Sequence, residues 1–189
     1  MANVVNVRLM VPRDEDGIKD GFVGHYDMQI EGAVSFCNRN FNNPVFSYRA
    51  EGDGYLDVFD GDKSSIIYGV NDSTNNTYKF CDIFKWSTVA SASDISNFKT
   101  EMNKAIDSET IMNHPKGYGM RCRLKAGNPF QKYIFNYYNC FHAVSIWMKW
   151  LGEVRFLNIH KAKHDAATAQ YSATRMMNKY QGTEYWKSM

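Results

Sequence analysis

The feature that most constrains the fold is a change of hydrophobic period near residue 93. Before it, apolar residues alternate in short runs broken by turn residues. After it, they recur every three or four positions. Val4 to Val11 alternates as a first strand. FVGHYDMQIEG follows as a second, with Val23, His25, Asp27 and Gln29 on one face and Tyr26, Met28 and Ile30 on the other. Glu31-Gly32 signals a turn, and AVSFCNR completes a hairpin with that strand. NRNFNNP reads as a loop and VFSYRA as another strand. YLDVFDGD and SSIIYGV form two more, meeting at an Asp-Gly turn, and NDSTNNTY is a polar loop.

In SDISNFKTEMNKAID, Ile95, Phe98, Met102 and Ile106 stand at helical spacing, with Ser93 or Asp94 as the cap. HPKGYG breaks that helix, and YGMRCRL returns as a strand with Met120, Cys122 and Leu124 on one face. The stretch NYYNCFHAVSIWMKWLG opens a second helix from about Asn139 to Leu151, stopped by Gly152. Val154 to Ile159 reads as a last strand, and Ala162 to Tyr180 is helix-prone. Strands gathered in one half and helices in the other predict a single α+β domain over residues 1–189, with a central antiparallel sheet packed against the cysteine-bearing helix.

Composition narrows the function classes. Of the 189 residues, 44% are hydrophobic and 22% charged, and the net charge is +2, an ordinary globular balance without a basic stripe for nucleic acid. No apolar run is long enough to span a bilayer, so no stable membrane insertion is expected. The opening MANVVNVRLMVPRDEDG lacks the pattern of a cleavable signal, which points to synthesis in the cytoplasm. Cys37, Cys81, Cys122 and Cys140 form no CxxC pair, against a structural zinc. No cofactor or metal is expected.

Cys140 stands at the head of its helix. Free N–H groups and the macrodipole there favour a thiolate, the reactive form, and the same N–H groups suit a developing oxyanion. A buried core thiol is the ordinary alternative. Cys37 and Cys122 fall in strand patterns, and Cys81 between Phe80 and Asp82. Among the histidines, His142 lies about 200° round the helix from Cys140. His160 and His164 are spaced for a metal but lack the glutamate of HExxH, and His114 precedes Pro115 in a loop open to solvent. His25 follows Gly24, which permits close approach of another backbone or a substrate. On the residues alone it is also an ordinary polar-face strand histidine.

VGHYDMQI early and YNCFHAVSIWMKWLG late together resemble the circularly permuted papain-like superfamily, which includes NlpC-type peptidases and amidases and the lecithin retinol acyltransferase-like branch. The resemblance covers about residues 20–152. It implies a papain-like fold, Cys140 as nucleophile and His25 as base. A third residue would orient the ring: Asp57 in YLDVF, with Asp27 as the alternative. It further implies a cysteine amidase or peptidase acting on bacterial peptidoglycan peptides. A compact hydrolase without a signal peptide suits a type VI secretion effector, made in the cytoplasm, exported to a target cell's periplasm, and accompanied by an immunity protein and a secretion-machine component. The same scaffold also supports lipid acyl hydrolysis or acyl transfer, and a non-catalytic binding domain is the third reading.

Overall fold

The structure, a computed structural model, describes residues 2–14, 17–18, 25–49, 54–61, 80–115, 117, 119–124, 140–153 and 187–188. Its strands are β1 (Asn3–Asp14), β2 (Gly17–Ile18), β3 (His25–Ile30), β4 (Ala33–Phe36), β5 (Arg39–Asn42), β6 (Val45–Arg49), β7 (Tyr55–Phe59), β8 (Phe80–Ala90), β9 (Ile106–Asn113), β10 (Met120–Leu124) and β11 (Lys187–Ser188). The described helices are α1 (Ala92–Ala105) and α2 (Cys140–Trp150). Nine strands form one sheet in the order β11-β8-β1-β3-β6-β7-β10-β9, with β2 paired to β1, and its described pairings are antiparallel. The chain is therefore an α+β protein.

Alternation sorts the sheet's side chains into two layers. Val5, Val7, Met28, Ile30, Phe46, Leu56, Val58, Met120 and Cys122 are fully buried and share the parity that faces the helices. Phe46 is the hub. Its ring meets Phe98 of α1 at 5.0 Å and Trp147 of α2 at 6.4 Å, both edge-on, the arrangement aromatic quadrupoles favour. Thus α2 packs across β3 and β6 and beside α1.

The opposite layer carries Val45 and Phe59, both buried, and beside them a line of polar residues. Arg8, Asp27, Ser47, Asp57 and Arg121 occupy one line of register across β1, β3, β6, β7 and β10. Arg8 clasps Asp27 with two bonds of 2.6 Å, and Arg121 clasps Asp57 at 2.6 and 2.9 Å. Arg8 and both aspartates are almost wholly buried, so each carboxylate needs its guanidinium.

Several local expectations are corrected. The hairpin expected between the second strand and AVSFCNR does not form. Instead β4 pairs with β5, a strand inside the expected loop NRNFNNP, and they make a separate two-stranded sheet. Their turn residues Cys37 and Asn38 have φ of 49° and 59°, the left-handed pair of a tight hairpin turn, so Cys37 is in a turn and not a strand. Helix α1 is capped by Ser91 and not by Ser93 or Asp94. The Ser91 hydroxyl accepts from the Asp94 amide at 3.2 Å, and the Asp94 carboxylate accepts from the Ser91 amide at 2.8 Å. The helix stops at Ala105 because Ile106 turns extended and begins β9, a strand that its weak alternation hid. Helix α2 ends as expected: Gly152, at φ 75°, donates to the Lys149 carbonyl, and Glu153 to that of Met148, a Schellman closure. SSIIYGV, NDSTNNTY, Val154–Ile159 and Ala162–Tyr180 lie outside the described residues.

Candidate active site

Cys140 is the first residue of α2, and Lys149 at its far end complements the macrodipole. The buried side chains Ala143, Val144, Trp147, Met148 and Leu151 hold the helix against the core. Cys140 itself is partly exposed. Its sulfur accepts a hydrogen bond from the main-chain N–H of Tyr26 at 3.3 Å, across a sequence separation of 114. The helix end therefore lands beside the first residues of β3, the strand that His25 opens.

Strand pairing explains why a sulfur fits there. β6 pairs with β7 along its whole length, from Val45 to Arg49, but with β3 only at Asp27, Met28 and Gln29. Past Asp27 the described β3–β6 ladder ends, and the amide of Tyr26 meets Cys140. The backbone of His25 pairs with Met10 of β1, one residue before that amide. The His25 side chain lies outside what is described.

The other thiols differ. Cys122 is fully buried, and burial pushes its thiol up, with the neighbouring acids adding to the effect. Burial also raises the Cys37 thiol, partly offset by Arg39. Cys81 has only its backbone described, within β8.

The two candidate third residues are held by other partners. β6 lies between β3 and β7, so Asp57 does not stand beside the histidine strand; two strand spacings, about 10 Å, separate the strands. Asp57 is in register with Asp27 through Ser47, and its carboxylate binds Arg121. Asp57 therefore stands in an ion pair with Arg121, two strands from the one that carries His25. Asp27 stays on the histidine strand, with both oxygens bound by Arg8. Burial raises its carboxyl, and Arg8 pulls it back down.

His114 is the clearest surprise among the histidines. It is buried, not solvated, and its Nε2 lies 3.4 Å from Asp57 Oδ2 and 3.3 Å from Arg121 Nη2. Its amide and carbonyl close the turn to Gly117 and Gly119. A histidine before proline in a Gly-rich stretch carries no local sign of this, because its partners are on β7 and β10. The ring of His142 is outside what is described, and His160 and His164 are outside the described residues. Among the described residues no three His, Cys, Asp or Glu side chains are grouped to hold a metal ion, and no helix is long and apolar enough to cross a membrane.

The geometry supplies a partly exposed sulfur at a helix N-terminus, an amide donor aimed at it, and a histidine-bearing strand at the same point. Such a place can support attack on an acyl carbon. No family model, curated protein or solved structure matches this chain.

Proposed function

We propose that the chain is a cysteine amidase or peptidase of permuted papain-like form, with Cys140 as nucleophile and His25 as base. One observation carries the reading: the Cys140 sulfur meets the strand of His25, at the amide of Tyr26, although the two are far apart in sequence. Sequence spacing could not impose that meeting. His25 takes the Cys140 thiol proton, the sulfur attacks the substrate carbonyl carbon, and the π pair moves to the oxygen, held by N–H groups at the start of α2. Collapse breaks the C–N bond, and the amine leaves with a proton from the His25 imidazolium. Water then cleaves the thioester, giving one proton to His25 and releasing the acid, and the thiol is restored.

The substrate class we propose is the peptide of bacterial peptidoglycan, with delivery by a type VI secretion machine and an immunity protein in the producing cell. This part rests on the resemblance of VGHYDMQI and YNCFHAVSIWMKWLG to that superfamily.

Purified peptidoglycan incubated with the protein, with products read by mass spectrometry, tests the reading. Cleavage should fall about a thousandfold or more in Cys140→Ala, and nearly as far in His25→Ala, without the two losses adding. Undiminished cleavage by folded Cys140→Ala refutes the mechanism, and intact muropeptides with the wild-type protein refute the substrate.

A further inference from the structure

We infer that the main-chain N–H of Tyr26 is a positioning group that holds the Cys140 sulfur and favours its ionised form. The inference deepens the reading of Cys140 as nucleophile and rests on it. The contact is 3.3 Å between Tyr26 N and Cys140 Sγ. A neutral thiol is a weak acceptor, whereas a thiolate takes a charge-assisted bond that is roughly twice as strong. The bond therefore tightens when the proton leaves, and tilts the equilibrium toward the anion.

The amide is well placed for this role. β3 sits inside the sheet, paired with β1 through Tyr26 and with β6 from Asp27 onward. Tyr26 is 5% exposed and belongs to the buried core, so the strand cannot easily shift. The donor is thus fixed in advance and needs no rearrangement when charge appears. The α2 end and the Tyr26 amide approach the sulfur from different elements, so the thiolate is favoured by helix and sheet together.

This origin gives a signature. The N–H stabilises the free thiolate more than the bonded sulfur, because attack turns the sulfur lone pair into a C–S bond. It therefore raises the fraction ionised and slightly lowers the nucleophilicity of each thiolate. A defect in folding or access would lower reactivity at every pH.

The test replaces the Tyr26 amide with an ester, by incorporating the α-hydroxy acid of tyrosine, and leaves the side chain unchanged. Iodoacetamide alkylation of Cys140 is followed by peptide mass spectrometry across pH; the sulfur pair forms the C–S bond and iodide leaves with the C–I pair. The expected result is an alkylation rate about tenfold lower on the acid side, with a plateau at high pH equal to or above that of the native protein. An unchanged profile, or a loss equal at all pH, overturns the inference.

A second measurement uses the unaltered backbone. In protein labelled with ¹⁵N-tyrosine, with the Tyr26 resonance assigned through Tyr26→Phe, the Tyr26 amide proton should shift with the same midpoint as alkylation and should not shift in Cys140→Ala. A Tyr26 amide insensitive to the titration overturns the inference even if the ester variant fails to fold. Both readouts follow the thiol and not hydrolysis, so an absence of peptidoglycan cleavage would refute the proposed function and leave this inference to its own result.

Discussion

Replacing Arg8 by methionine should strip a large share of the protein's stability. Arg8 and Asp27 have side-chain exposures of 4% and 0%, and the guanidinium makes two bonds of 2.6 Å to the carboxylate. Arg8→Met leaves that carboxylate buried without its charge partner, a change that costs about 3–5 kcal/mol. Counting two charge-assisted hydrogen bonds at about 1.5–3 kcal/mol each gives a similar range. Against a total stability of about 5–15 kcal/mol, the loss is a large fraction of the whole.

Urea denaturation followed by tryptophan fluorescence measures it, since Trp86 and Trp147 are buried. The pH dependence gives a second check. Burial raises the Asp27 carboxyl above 3.8, and Arg8 works against that rise. A raised acid contributes stability that is present below its unfolded value and lost as pH rises through its folded value. Removing Arg8 widens this window upward. The deficit of Arg8→Met should therefore be greatest near neutral pH and shrink as pH falls toward about 4. Arg8→Met combined with Asp27→Leu should return to within about 1 kcal/mol of the native protein. A single-variant deficit below about 1 kcal/mol, or one independent of pH, would refute the reasoning.

Three further outcomes follow from the geometry. Iodoacetamide at mildly acidic pH should modify Cys140 before Cys37 or Cys122, whose thiols burial raises; peptide mapping that finds either of those first contradicts the assignment. Asp57→Asn should lower stability by about 3 kcal/mol, because Arg121 and His114 lose their buried carboxylate, yet leave alkylation of Cys140 unchanged. Slower alkylation of Cys140 in a folded variant would place Asp57 in the site. Gly152→Ala should cost about 1–2 kcal/mol in thermal unfolding, because φ is 75° while an added Cβ meets nothing nearer than Asp94 Oδ1 at 3.6 Å; an unchanged Tm would remove the left-handed stop as the reason α2 ends.

What was legible in the sequence is what neighbours along the chain decide. Alternation in HYDMQI, YLDVF and MRCRL and the helical period in SDISNFKTEMNKA needed only the local backbone repeat, and Gly152 needed only its freedom at positive φ. Cys140 could be placed at a helix head for the same reason. The pairing of β4 with β5, and β9 beginning directly after α1, escaped because short polar strands alternate too weakly to announce themselves. The line Arg8–Asp27–Ser47–Asp57–Arg121 escaped for a deeper reason. It exists only when five strands are laid side by side in register, and register is set by burial on both faces at once. That line ties Asp57 to Arg121, and the same carboxylate meets the buried His114. The same long-range order brought Cys140 to the amide of Tyr26, because hydrophobic packing of α2 on β3 and β6 fixes where the helix begins, and no spacing in the chain encodes it.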